Sequence, residues 1–114
     1  MNADNIKSQM RKGYLEYCIL LILNKKPAYA SDIIAELKAA KLIVVEGTLY
    51  PLLTRLKNGE LLDYRWEESS QGPPRKYYEM TEKGLAFLAE LETAWDEINQ
   101  VVLKIKNSDA ADVT

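Results

Sequence analysis

Apolar positions along this 114-residue chain recur at helical spacing, then at strand spacing, then at helical spacing again. Met10, Tyr14, Tyr17/Cys18 and Leu21 predict a first helix over Ile6–Asn24. Gly13 inside it costs about 1 kcal/mol relative to alanine, which implies close packing at that point. Lys25-Lys26-Pro27 ends the helix, because a proline disfavours helical backbone in the residue before it. Ser31 is the expected N-cap of a second helix, whose buried stripe is Ile33/Ile34 and Leu37 and which runs to Ala40. A third helix is expected over Glu46–Asn58, with Leu49, Leu52/Leu53 and Leu56 inward. Pro51 should tighten or kink it, and Gly59 should close it in a left-handed conformation.

The period then changes to two. Leu62, Tyr64 and Trp66 alternate with Asp63, Arg65 and Glu67, which predicts a strand with one buried face. Ser69-Ser70-Gln71-Gly72-Pro73-Pro74 reads as a turn or loop, and Arg75–Met80 as the returning strand. Thr81 is a good N-cap for a last, long helix. Along it Leu88, Leu91, Trp95, Ile98, Val102 and Ile105 repeat at alternating steps of three and four, a heptad seam. The expected architecture is mainly α with a small β-hairpin: a winged helix-turn-helix over residues 5–80 and a C-terminal dimerisation helix over 81–107. Residues 108–114 are polar or small and are expected to form a disordered tail.

Composition removes several chemistries. With no histidine and one cysteine, Cys/His zinc sites, Ser-His or Cys-His catalysis and intramolecular disulfides are unavailable. Cys18 lies in an apolar run, as a core thiol does; a redox sensor needs exposure and nearby positive charge. The adjacent carboxylates Glu67/Glu68 and Asp96/Glu97 point to different faces and read as solvated charge. No catalytic residue, metal or cofactor is expected. No apolar run approaches the roughly 18 residues of a membrane span, nor is there a secretory-leader pattern, so a cytoplasmic location is expected.

Net charge is −2, but it is unevenly placed. Residues 1–78 hold 12 Lys/Arg against 9 Asp/Glu, whereas residues 79–114 hold 3 against 8. A basic body with an acidic last helix is compatible with one face meeting phosphates. A recognition helix must have a polar outer face, which Thr48, Tyr50, Arg55 and Lys57 supply. Gln71, Arg75 and Lys76 add donors on the hairpin, and Lys7 and Arg11 add more near the start. Double-stranded DNA is the expected partner; a winged-helix protein-interaction module that never touches DNA is the alternative.

The C-terminal seam must be covered, either by an identical chain or by folding back on its own domain. A homodimer would present two recognition helices to a pseudo-palindromic operator. Trp95 is too bulky for a simple two-stranded seam, which leaves two readings: a large dimer anchor, or one wall of a pocket for a planar aromatic effector.

Several stretches together resemble bacterial PadR-type regulators, named for repressors of phenolic-acid decarboxylase genes. These are Gly13-Tyr14-Leu15 with Ile19-Leu20, Gly47-Thr48-Leu49-Tyr50-Pro51, Arg75-Lys76-Tyr77-Tyr78 and Thr81-Glu82-Lys83-Gly84. The resemblance covers about residues 8–105. The single C-terminal helix is similar to the short subgroup that includes multidrug-sensing repressors. There a tryptophan of this helix pairs across the dimer to stack planar drugs, and Trp95 lies at the matching place. The resemblance therefore implies a dimeric repressor of promoter DNA relieved by a small aromatic or hydrophobic ligand. Val45 departs from the family's usual small capping residue, and Ala30-Ser31 from its usual glycine-containing pair.

Overall fold

The structure is a computed structural model that describes residues 1–108, so the tail expected over 108–114 lies outside the described residues except for Ser108. The element order is α1 (Ala3–Lys25), β1 (Ala28–Tyr29), α2 (Ala30–Ala39), α3 (Glu46–Asn58), β2 (Leu62–Ser69), β3 (Gly72–Met80) and α4 (Glu82–Asn107). Among the described residues four helices thus accompany a small antiparallel sheet of strand order β1-β3-β2. This is the expected mainly helical winged-helix arrangement.

The first helix starts three residues earlier than its apolar repeat, because the Asn2 side chain caps it by accepting from the Asp4 N–H at 2.8 Å. Only its second half is buried, through Leu15, Ile19, Leu20, Ile22 and Leu23, while residues 1–13 stand exposed. The close packing expected at Gly13 is not found within the chain: a Cβ there would meet nothing within 4 Å.

Two residues missed in the sequence, Ala28 and Tyr29, form β1 and pair with Tyr78 and Tyr77 of β3. A two-residue strand is too short to show a period. It also moves the cap of α2. Tyr29, not Ser31, is the N-cap, and Asp32 reaches back to accept from the Tyr29 N–H at 3.1 Å.

The ends of α2 and α3 share one geometry. Leu42 donates to the Leu37 carbonyl at 2.8 Å and Lys41 to Lys38 at 2.9 Å. After α3, Leu61 donates to Leu56 at 3.0 Å and Glu60 to Lys57 at 2.9 Å. Both are Schellman closures. The left-handed residue is Lys41 (φ 71°) in one and Glu60 (φ 65°) in the other, so the position expected of Gly59 falls one residue later. Pro51 does not break α3; its missing N–H deprives only the carbonyl of Gly47, on the exposed side.

Strand pairing extends further than composition suggested. β2 and β3 reach Ser69 and Gly72, leaving only Ser70 and Gln71 as the turn. The prolines at 73 and 74 fit because the register slips between Glu67 and Ser69, and because β1 covers β3 only at Tyr77 and Tyr78. Proline is tolerated at such a bulge on a free edge. The buried face fades outward: Leu62 is in the core, Tyr64 half-buried and Trp66 exposed.

The core joins Leu15, Ile19, Leu20, Ile33, Leu49, Leu53, Leu56, Leu62, Tyr78 and Leu88, with no buried polar residue among those described. Each fully buried aliphatic side chain contributes roughly 1.5–3 kcal/mol. Cys18 packs partly against this core, and burial pushes its thiol pKa up, as expected of a structural rather than a reactive cysteine.

Candidate nucleic-acid interface

Helix α3 buries Leu49, Leu53 and Leu56 on one side. At 3.6 residues per turn, the opposite crest is formed by Gly47, Pro51, Thr54 and Asn58, all exposed. These four carry little side-chain bulk, so the helix backbone is accessible along its ridge. None of the four is charged, and their signal in the sequence is the spacing of 4, 3 and 4 opposite the leucines. The expected residues lie on the two flanks instead. Thr48 and Arg55 fall on the flank toward α1, Tyr50 and Lys57 on the flank toward the hairpin.

The α1 flank forms a cleft of about 430 Å³ lined by Arg11, Lys12, Glu16, Thr48, Leu52 and Arg55, among others. It brings three of the expected residues together. Arg55, however, is not free: its Nη1 lies 3.0 Å from Oε1 of Glu16, with the arginine side chain 74% and the glutamate 24% exposed.

On the other flank, a cleft of about 490 Å³ is lined by Tyr29, Ser31, Tyr50, Trp66, Arg75 and Lys76, among others. Successive strand residues point to opposite faces, so Arg75 and Lys76 diverge. The Arg75 guanidinium sits 3.9 Å from the Tyr29 ring centroid. Lys76 Nζ lies 4.5 Å from the Tyr64 ring and 5.4 Å from that of Trp66. Lys57 Nζ approaches the same Tyr64 ring at 5.8 Å. Tyr64 thus stands between a lysine of α3 and a lysine of the hairpin. These cation–π contacts hold the ammonium groups near the cleft without neutralising them. Gln71 is at the hairpin tip, its N–H donating to Ser69 Oγ at 3.3 Å, and Lys7 is exposed on α1. No described contact gathers either of these two with the rest.

The seam residues divide. Leu88 is 3% exposed within the chain's own core and Leu91 packs partly against it, so Leu88 belongs to the fold of the single chain rather than to a seam between chains. Trp95 is 39% exposed, with its ring centroid 6.2 Å from that of Tyr14 and 6.0 Å from that of Tyr17, both on α1. Beyond it, Ile98, Val102 and Ile105 are exposed.

A two-helix unit whose second helix stands exposed beside a β-hairpin carrying Arg75 and Lys76 is a winged helix-turn-helix, a class built to enter a DNA groove. The chain belongs to the transcriptional regulator PadR-like family, whose model matches residues 19–90. It is a family of DNA-binding regulators, not of enzymes. The chain is 70% identical to a PadR-like transcription factor from Bacteroides fragilis of known structure, covering 89% of this chain and 98% of that one with a TM-score of 0.77. A PadR-like transcriptional regulator from Bacillus cereus is 36% identical over 89% of this chain and 99% of its own, with a TM-score of 0.78. An uncharacterized protein of Lysinibacillus sphaericus is 30% identical over 100 residues, covering 85% of this chain and 92% of its own length. Among the described residues no helix is long and apolar enough to cross a membrane.

Proposed function

We propose that this chain works in the cytoplasm as a homodimeric repressor that occludes promoter DNA and is released by a planar aromatic ligand sensed at Trp95. The exposed apolar face of α4 carries this reading. Ile98, Val101, Val102 and Ile105 are each 47–66% exposed on neighbouring turns, a large apolar surface for a single chain to leave in water. Ile6 and Met10 on the projecting half of α1 are exposed as well. A second copy covers such a face by two-fold symmetry and places two α3 helices on half-sites of a pseudo-palindromic operator.

In each half-site the low crest of α3 enters the major groove. Thr48, Arg55, Arg11 and Lys7 serve one phosphate strand, and Tyr50, Lys57, Gln71, Arg75 and Lys76 serve the other. Trp95, braced by Tyr14 and Tyr17, keeps part of its ring open to an aromatic guest. Release follows if the guest binds the DNA-incompetent arrangement more tightly than the competent one.

Fluorescence anisotropy with the DNA upstream of the chain's own gene tests this. Preference over scrambled DNA by about a thousandfold, weakening with salt, is expected. Equal weak binding to both sequences would reduce the claim to a basic surface, and no binding at low salt would replace it with a protein-interaction module. Planar aromatics should quench tryptophan fluorescence saturably in the wild type but not in Trp95→Ala.

A further inference from the structure

We infer that Glu16 is an internal competitor for DNA phosphate, holding Arg55 on the α1 side of the recognition helix and thereby capping the affinity of the complex. The inference rests on the DNA-binding reading above and concerns a residue of opposite charge to those that bind. Glu16 is the acidic side chain of the cleft shared by α1 and α3, whose other charged members are Arg11, Lys12 and Arg55. Its Oε1 forms an ion pair with Nη1 of Arg55, 3.0 Å away across the two helices. The carboxylate is three-quarters shielded on its rigid helix, whereas the guanidinium is largely in solvent. The acid is therefore the fixed partner and the arginine the movable one.

A pair this exposed is weak, so a phosphate oxygen, itself anionic and able to take the guanidinium bidentately, competes for it on even terms. Binding DNA then requires either breaking the pair or leaving Arg55 neutralised. In both cases Glu16 subtracts from affinity, and it places a negative charge beside the backbone that Arg11 and Lys12 flank. Its removal should strengthen binding to any DNA sequence, since phosphate contacts carry no sequence information directly.

The test is a cycle of Glu16→Gln, Arg55→Gln and the double variant, with DNA affinity measured by anisotropy from low to moderate salt. Glu16→Gln should tighten binding about twofold to fivefold. Where the pair survives in the wild-type complex, the dependence of log K on log salt should also steepen by about 0.9 per protomer, as one more phosphate contact forms; where DNA breaks the pair, the slope stays the same and only the affinity rises. In the Arg55→Gln background the same change should have much less effect. An equal gain in both backgrounds would show that Glu16 acts only through net charge and would overturn the proposal. Weaker binding by Glu16→Gln would overturn it in favour of Glu16 positioning Arg55. Glu16→Ala provides the same readout should the glutamine variant melt early. Wild-type protein that ignores DNA at low salt would instead refute the DNA-binding reading itself.

Discussion

The two halves of α4 carry the same apolar repeat but meet different surroundings. Around its start one side, that of Gly84 and Leu88, is closed against the rest of the chain, while Leu85 and Phe87 on the others stay exposed. Thr81 Oγ1 accepts from the Gly84 N–H at 2.9 Å and donates to the carbonyls of Glu60 at 2.7 Å and Leu61 at 3.0 Å. Gly84 is buried against Leu61, where an added Cβ would collide with the carbonyl oxygen, so the helix approaches the α3–β2 junction as closely as a backbone can. Leu88 completes the core one turn later. After Trp95 the same spacing continues into solvent. A heptad repeat therefore states that a stripe will be buried, but not whether the chain itself or another molecule buries it.

The largest effect is expected at the closed end. Gly84→Ala should cost about 3 kcal/mol, since the Leu61 carbonyl is backbone and cannot step aside. Leu88→Ala should cost a similar amount, about 2–5 kcal/mol. Chemical denaturation measures both. The paired change Ile98→Asp with Val102→Asp should keep helical circular dichroism while halving the mass seen by light scattering. Were it to unfold the chain as Leu88→Ala does, the division of α4 would be wrong.

A smaller effect sharpens the closed end. Glu60 holds a left-handed backbone there while its carbonyl accepts from Thr81. Glu60→Gly should stabilise the chain by up to about 1 kcal/mol in thermal denaturation, relieving the Cβ strain. Its ion pair with Lys83, at 3.5 Å between exposed side chains, is too weak to offset the gain.

The smallest effect lies at the boundary between the halves, where Tyr17 meets Trp95. Burial first, then the charges of Glu92, Asp96 and Cys18, raise the Tyr17 pKa above its ordinary value of 10.0. A raised pKa in the folded state means that Tyr17 supports folding below pH 10 and that this support is lost as pH rises through the higher folded value. Tyr17→Phe should therefore flatten the alkaline loss of melting temperature. An unchanged alkaline slope would count against tyrosine ionisation at this contact.

Much of this molecule was legible in one dimension. Helix α3 was placed over Glu46–Asn58 by its leucine repeat, and the hairpin by the switch from period 3.6 to period 2. Thr81 announced α4 because a hydroxyl cap is a local device. The errors cluster where a distant segment intervenes. Tyr29 displaced Ser31 as the cap of α2 because β3 drew Ala28 and Tyr29 into the sheet. Pro73 and Pro74 joined a strand because the neighbouring edge is free. At the interface, donors were found by residue type, whereas the crest of Gly47, Pro51, Thr54 and Asn58 has little chemistry to notice.

Sequence alone determined what repeats locally: the type and order of the helices and the hairpin, the Thr81 cap, and the balance of charge between body and last helix. These follow from side-chain periodicity and backbone preference within a few residues. Only the tertiary structure decided that Leu88 turns inward, that Trp95 rests on Tyr14 and Tyr17, and that Glu16 holds Arg55. Those outcomes depend on which surfaces meet after the chain closes on itself, and contacts between segments tens of residues apart leave no periodic trace in either one.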